Sequence, residues 1–235
     1  MSRDCRLPRS LDLAHAKRVS RRLRTWFARH GRDLPWRATR DPYRVLVSEL
    51  MLQQTQVARV VTFYDRFLER FPTVHALADA SEADVTDAWQ GLGYYARARN
   101  LHALSRRVVR EHGGTLPSAP VELRRLPGVG AYTAGAVASF AFEESAALVD
   151  TNVARVIARI FAPHLRPRRA RDLTRIWAVA EAILPARGAT AWTHNQALME
   201  LGALVCTART RRCEVCPVAS RCLTRQRERR QKERT

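Results

Sequence analysis

The sequence predicts an all-α protein, and three observations support this fold class. Apolar residues recur three or four positions apart through most of the chain, as they do on the buried face of an α-helix. Alternating apolar and polar residues, which are typical of β-strands, form no stretch of useful length. Several helical stretches begin near a residue that caps helix N-termini, such as Thr73, Ser81 or Asp150.

The predicted helices follow one another with short connections. They cover residues 11–30, two helices within 43–70, then 74–80, 82–90, 96–112, a turn at 121–125, and 131–142, 152–162, 170–184 and 192–206. The segment 131–142 (AYTAGAVASFAF) is so rich in small residues that it must pack closely. The last stretch, 224–235 (TRQRERRQKERT), is so highly charged that we expect it to be disordered.

The charge balance indicates a polyanionic partner. The chain has 41 Lys and Arg residues against 22 Asp and Glu, for a net charge of +19. Lys17 and Lys232 are its only lysines, so arginine-rich codon usage explains the choice of arginine but not the shortage of acids. The N-terminus lacks the pattern of a secretory signal, and no run of about 18 apolar residues predicts a membrane span. The excess of positive charge indicates nucleic acid or an anionic membrane surface as the partner. We expect a cytoplasmic, nucleoid-associated protein that is a monomer.

Four of the five cysteines lie close together near the C-terminus. They are spaced C-x6-C-x2-C-x5-C, whereas Cys5 stands apart; the four are Cys206, Cys213, Cys216 and Cys222. Four thiolates can hold either a tetrahedral zinc ion or a cubane iron–sulfur cluster. The first gap of six residues is long for a zinc knuckle, but the spacing alone slightly favours zinc, because zinc is the commoner centre for four cysteines.

A glycine-containing turn directly precedes the small-residue helix. In LPGVGAYTAGA (126–136), Gly128, Val129 and Gly130 form a tight turn in which backbone N–H groups are open to a ligand. The following helix adds unpaired N–H groups and the positive end of its dipole, which together suit a phosphate. An ordinary connection between two helices is the alternative.

Two carboxyl groups are candidates for catalysis. Asp150 precedes a helix, where it can cap the N-terminus and remain ionised in the helix dipole. Such a carboxylate can stabilise a sugar cation as a glycosidic bond breaks. Glu49 lies among apolar residues, and burial there would raise its pKa and suit it to general acid catalysis.

Several segments together resemble the adenine glycosylase (MutY) family of the helix-hairpin-helix base-excision glycosylase superfamily. The resemblance covers about residues 20–225 and rests on LPWR (34–37), DPYRVLVSE (41–49), SELMLQQTQV (48–57), GLGYYARARNL (91–101), LPGVGAYTAGA (126–136) and MELGALVC (199–206). It implies a two-lobed helix-hairpin-helix fold with a C-terminal [4Fe-4S] cluster loop. The lobes would be a helical barrel over 36–147 and a cluster domain formed by 8–35 and 148–223.

The resemblance also implies a role for each site residue. Glu49 would protonate N7 of adenine, Asp150 would stabilise the sugar cation, and Asn152 would support Asp150. Tyr94 would enter the duplex beside the flipped nucleotide. The DNA- and base-binding residues would be Trp36, Arg37, Leu52, Gln53, Gln54, Thr55, Tyr94, Gly128, Val129 and Gly130. The ligands of the [4Fe-4S] cluster would be Cys206, Cys213, Cys216 and Cys222.

Tyr132 stands where bifunctional members of the superfamily carry a lysine that forms a Schiff base with the sugar. The resemblance therefore implies a monofunctional glycosylase that acts on mismatched double-stranded DNA and has no strong lyase activity. Adenine opposite guanine or 8-oxoguanine is the favoured target. The chain ends where typical adenine glycosylases continue into an 8-oxoguanine-recognition domain, so a thymine or uracil mismatch glycosylase remains an alternative. A non-catalytic DNA-binding protein is less favoured, because both carboxyl groups are present.

Overall fold

The computed structural model describes residues 11–233, which fold into helices. These residues contain no β-strand and only an isolated bridge between Cys206 and Arg211. The all-α fold class is therefore confirmed. The α-helices are α1 Leu13–His30, α2 Pro42–Leu52, α3 Val57–Arg70, α4 Val74–Asp79, α5 Glu82–Ala88, α6 Ala96–His112, α7 Pro120–Leu123, α8 Ala131–Ala141, α9 Thr151–Phe161, α10 Ala170–Ile183, α11 Gly188–Leu204 and α12 Leu223–Lys232.

Helix N-termini follow the capping residues in the sequence. The Thr73 side chain accepts a hydrogen bond from the amide of Ala76, and Ser81 accepts one from the amide of Asp84. Each satisfies a backbone donor that the first turn of a helix leaves unpaired. Both predicted caps are confirmed.

The chain divides into two compact units, one formed by Asp33–Glu144 and the other by the residues before and after it. The two junctions, at 32/33 and 144/145, lie within three residues of those expected from the sequence. The described residues after 223, expected to form a separate tail, fall in the second unit. The part of the predicted cluster domain before residue 11, like Cys5, lies outside the described residues.

The Asp33–Glu144 unit contains α2 to α8. Helix α2 packs against α3, α6 and α8, and α6 packs against α4 and α5. Leu46, Phe67 and Trp89 are at most 1% exposed and form part of its core. Every residue of α8 from Thr133 to Ala141 is buried, as the small-residue pattern predicts.

The other unit joins the N-terminal helix to the C-terminal third of the chain. Helix α1 packs against α10 and α11, and α9 packs against α10, α11 and α12. A buried hydrogen bond of 2.9 Å links Ser20 Oγ on α1 to His194 Nδ1 on α11. No helix in the described part of the chain is both long enough and apolar enough to span a bilayer.

The C-terminal tail differs from the sequence-based expectation. Residues 224–235 were expected to be disordered, but α12 extends to Lys232. Thr224 Oγ1 donates to the carbonyl of Arg159 on α9 at 2.7 Å, and Glu228 pairs with Arg211 at 2.6 Å. Arg, Gln, Glu and Lys are good helix formers, and these contacts hold the charged helix to the rest of its unit. Helix α11 also begins four residues earlier than predicted, at Gly188.

Candidate functional site

The acidic residue of α2 is deeply buried. Glu49 is 3% exposed, and its neighbours Leu46, Leu50 and Met51 are at most 1% exposed. Burial of a carboxyl group penalises its charged form, and a protonated carboxyl group can serve as a general acid. Burial, the condition on which the acid role of Glu49 depends, is therefore met.

The glycine turn leads directly into α8. Gly128 has a φ of +75°, and Gly130 is the N-cap of α8. A Cβ atom at Gly128 would lie 2.7 Å from Cβ of Asn100, so this position requires glycine. Gly130 is exposed, and nothing lies within 4 Å of where its Cβ would stand. The turn therefore leaves the backbone open at the N-terminus of α8, which is the geometry of an anion site.

Residues at the end of α2 contact the start of α8. Gln53 Nε2 lies 3.4 Å from Thr133 Oγ1, a long hydrogen bond. Tyr132, the residue before Thr133, is half-buried. Leu52 and Thr55 are also half-buried, whereas Gln54 is exposed. The structure thus brings the Gln53–Thr55 segment and the first turn of α8, which contains Tyr132, into one region of the same unit.

Tyr94 lies in the glycine-rich loop between α5 and α6, one residue before Tyr95, the N-cap of α6. Its side chain is 59% exposed, and its backbone has a φ of +50°. Gly91 and Gly93 also have positive φ values, and the Trp89 indole donates to the carbonyl of Gly93 at 3.3 Å. The exposed ring is consistent with the wedge role that the resemblance implies.

Trp36 and Arg37 lie in a 3₁₀ turn, Pro35–Arg37, that precedes α2. Trp36 is 7% exposed and meets Tyr64 edge to face, with 5.5 Å between the ring centroids. Arg37 is half-buried. Trp36 therefore has a packing role in the core, in addition to any contact with a base.

Asp150 is held in place by two hydrogen bonds. Its Oδ1 accepts from the amide of Val153 at 2.6 Å, and its Oδ2 accepts from Nδ2 of Asn152 at 3.0 Å. The first bond makes Asp150 the N-cap of α9, as predicted from the sequence. The two hydrogen bonds fix the orientation of the Asp150 carboxyl group at the start of α9.

Arg155 extends this network, and the sequence analysis missed it. Its Nη2 donates to Oδ1 of Asn152 and to the carbonyl of Gly202, both at 2.8 Å. Its Nε donates to the carbonyl of Cys206 at 2.9 Å. Hydrogen bonds therefore connect the first cysteine to Asp150 through two side chains. The contact between Asn152 and Arg155 could have been found in the sequence, because residues three apart lie on the same face of a helix.

The four C-terminal cysteines line a single cavity. Arg159 Nη1 donates to Sγ of Cys206 at 3.2 Å and to the carbonyl of Thr207 at 2.7 Å. Burial raises the pKa of Cys216 to about 11 and also raises the pKa of Cys222. A metal that binds these sulfurs would displace the thiol protons. Arg159 supplies positive charge beside the first of them.

The predicted site residues are divided between the two units. Glu49, Tyr132 and all of the predicted DNA- and base-binding residues belong to Asp33–Glu144. Asp150, Asn152 and the four cysteines belong to the other unit, and the hydrogen bonds through Arg155 connect them.

One family model matches residues 47–179, with the description "HhH-GPD superfamily base excision DNA repair protein". Among curated proteins, the adenine DNA glycosylase of Rattus norvegicus is 44% identical over 226 residues, which cover 92% of this chain and 43% of the rat protein. That of Mycobacterium tuberculosis is 48% identical over 198 residues, which cover 83% of this chain and 64% of the relative. The chain thus spans about two fifths to two thirds of these relatives.

Two solved structures have similar folds. A thermostable thymine-DNA glycosylase is 30% identical with a TM-score of 0.83, and the match covers 91% of this chain and 98% of that one. Endonuclease III in a non-covalent complex with DNA is 25% identical with a TM-score of 0.76, and the match covers 94% and 99%.

Proposed function

Because the chain belongs to the HhH-GPD superfamily of base excision DNA repair proteins, we propose that it is a monofunctional DNA glycosylase that removes mispaired adenine. The observation that carries this proposal is the pair of carboxyl groups in contrasting environments. Glu49 is buried among apolar side chains, whereas Asp150 accepts hydrogen bonds from Val153 and Asn152. Groups in such different settings suit opposite roles, one as an acid and the other as an anion.

The two carboxyl groups have different roles in this mechanism. Glu49 donates its proton to N7 of the flipped adenine, and the C–N glycosidic bond breaks with its electron pair leaving on the base. The Asp150 carboxylate stabilises the positive charge that develops on the sugar. Water then adds to the sugar carbon and loses a proton, which leaves an abasic site.

The relatives favour adenine as the target. The proteins named adenine DNA glycosylase are 36–48% identical to this chain, whereas the thymine-DNA glycosylase structure is 30% identical. The thymine alternative has its own support, since the thymine-DNA glycosylase matches this chain over 98% of its own length. We propose guanine or 8-oxoguanine as the base opposite the adenine.

A panel of duplexes tests this choice. Duplexes that contain A:8-oxoG, A:G, T:G or U:G are incubated with the protein, and base release is measured. We expect release of adenine from the first two, and release of thymine or uracil in its place would favour the alternative. Glu49→Gln should abolish release and retain DNA binding, whereas Glu69→Gln on the exposed face of α3 should change neither. Base release by Glu49→Gln at the normal rate would contradict the mechanism.

We also propose that the enzyme does not cleave the DNA strand. Tyr132 is the second residue of α8, where a lysine would be needed to attack the sugar. Borohydride trapping on substrate DNA should therefore yield no strong covalent adduct. An adduct formed in good yield would contradict the assignment of a monofunctional enzyme.

We also propose that the four cysteines hold a [4Fe-4S] cluster, as the resemblance implies, and not a zinc ion. They line a cavity whose walls include the apolar side chains of Ile160, Leu201 and Val218. Thiolates spread around a cavity suit a polynuclear centre, which would cross-link the loop between Cys206 and Cys222. Analysis of the purified protein for iron, acid-labile sulfide and zinc distinguishes the two centres.

The partner that we propose is double-stranded DNA. Arg209 and Arg212, which lie between the first two cysteines, are exposed and can attract phosphates, as can the open backbone at Gly130. The endonuclease III match, which was solved in complex with DNA, supports the same partner.

A further inference from the structure

One arginine near the Tyr94 loop is buried. Arg97 lies on the apolar face of α6 and is 6% exposed. Its guanidinium donates to five backbone carbonyls at distances between 2.7 and 3.3 Å. Nη1 donates to the carbonyls of Leu50, Met51 and Gln53, and Nη2 donates to those of Leu92 and Gly93.

The five carbonyls belong to two separate segments. Those of Leu50 and Met51 are in the last turn of α2, where carbonyls have no partner within the helix. An arginine that caps them would be an ordinary feature of a helix C-terminus. The same guanidinium, however, also binds the carbonyls of Leu92 and Gly93 in the loop that contains Tyr94. Arg97 therefore links the end of the Glu49 helix to the loop of the proposed wedge.

The backbone conformation shows where this link acts. Only three non-glycine residues in the described chain have a positive φ, namely Gln54, Tyr94 and Glu143. Gln54 directly follows the Arg97-bound carbonyl of Gln53, and Tyr94 directly follows that of Gly93. Such strained residues persist where the surrounding structure fixes them, and they cluster at functional sites. One side chain thus holds the backbone immediately before two strained positions.

We propose that Arg97 is a positioning residue that fixes the Tyr94 wedge relative to the Gln53–Thr55 segment. This inference rests on the proposed function and on the roles that the resemblance implies, in which Tyr94 enters the duplex beside the flipped nucleotide and the Gln53–Thr55 segment binds DNA. Held together, the two segments engage the duplex in one fixed geometry. The role of Arg97 is therefore in base flipping and not in breaking the glycosidic bond.

Lysine cannot replace arginine in this role. A guanidinium presents five donors in a rigid plane, whereas an ammonium presents three donors at a single point. The Arg97 guanidinium also lies 5.4 Å from the ring centroid of Trp89 and 5.5 Å from that of Tyr94. Arg97→Lys keeps the charge but loses the planar bridge between the two segments.

The test compares two substrates that differ in how much flipping they require. In one duplex adenine is opposite 8-oxoguanine, and in the other it is opposite an abasic-site analogue and is already unpaired. Base release is measured in single turnovers, and 2-aminopurine beside the adenine reports unstacking. The variants are Arg97→Lys and Arg97→Gln. The matched control is Arg106→Lys, at an exposed position of the same helix.

We expect Arg97→Lys to slow release from the paired duplex at least about tenfold, because small displacements of positioning groups have large effects on rate. Release from the unpaired duplex should change much less, and the 2-aminopurine signal should fall on the paired duplex alone. Arg106→Lys should match the wild type on both duplexes.

Several outcomes would overturn the proposal. Equal rates of base release by Arg97→Lys and the wild type on the paired duplex would show that Arg97 has no positioning role. An equal loss on both duplexes would place the effect in bond breaking, and failure of both variants to fold would make Arg97 a folding residue only. A wild-type protein that releases no base from either duplex would instead refute the proposed function, so the two failures are distinguishable.

Discussion

Gly128 lies in the turn before α8, and the structure leaves no room for a side chain there. Its φ is +75°, and an added Cβ would approach Cβ and Nδ2 of Asn100 to 2.7 and 3.0 Å. Both effects act against any larger residue. We predict that Gly128→Ala lowers the free energy of unfolding by about 1–3 kcal/mol, because of the strained φ and the contact with α6. Urea unfolding monitored by circular dichroism measures this change.

Gly130→Ala is the matched control, because the two glycines are only two residues apart. Gly130 has a φ of −84°, and nothing lies within 4 Å of the position of its Cβ. We expect a smaller loss of stability there, arising only from the weaker capping by alanine. Equal losses at the two positions would show that the contact with Asn100 does not determine the requirement for glycine.

Other residues of the site differ in how far the sequence could predict them. The burial of Glu49 and the cap at Asp150 followed from the apolar pattern and from helix capping. Arg97, Arg155 and Arg159 did not, because the chain has 41 Lys and Arg residues and composition does not distinguish a buried arginine from an exposed one. Their partners are mostly backbone carbonyls, which no sequence pattern displays. Only the position of Arg97, four and seven residues before Leu101 and Leu104, placed it on a buried helix face.

At the scale of elements, the contact between α1 and α11 contains a buried histidine. His194 is 1% exposed, and burial lowers its pKa to about 4, with a smaller contribution from Arg24. In the unfolded chain its pKa would be near the ordinary value of 6.5. Between these two values the unfolded state binds more protons than the folded state, so stability rises with pH. His194 therefore weakens the fold as the pH falls from 6.5 towards 4.

We predict that His194→Gln reduces this acid sensitivity. The slope of unfolding free energy against pH should fall by up to about 1.4 kcal/mol per pH unit across that window. Urea unfolding at a series of pH values gives both curves, and their difference isolates His194 from the carboxyl groups. His112→Gln, at the exposed end of α6, is the control and should leave the slope unchanged. Parallel curves for His194→Gln and the wild type would contradict the prediction.

Most helices were predictable from the sequence, but α12 was not. Its charged residues have no apolar periodicity, so the pattern indicated a solvated tail. The helix is held by hydrogen bonds and an ion pair to residues far away in the chain, among them Arg159 and Arg211. Long-range polar contacts of this kind leave no local signature. Apolar periodicity, by contrast, determined the bounds of α6 and α9 to within one residue.

At the scale of the whole molecule, the net charge of +19 has a measurable consequence. Binding to DNA phosphates releases condensed counterions, so affinity falls steeply as salt increases. If about six phosphates are contacted, nonspecific affinity should fall about a thousandfold between roughly 50 and 200 mM salt. Fluorescence anisotropy with an undamaged duplex measures the slope. An affinity that is flat across this range would contradict the prediction.

The packing of α1 against α10 and α11 has a consequence for how the protein is made. Helix α1 is synthesised before the other described helices, but the helices that cover its apolar face begin only at Ala170 and Gly188. On the ribosome, the Asp33–Glu144 unit is complete while α1 still lacks its neighbours. The face of α1 that carries Val19 and Leu23, both 0% exposed in the finished fold, remains accessible to other chains during that interval. Of the described helices, the one synthesised earliest is thus among the last to be packed.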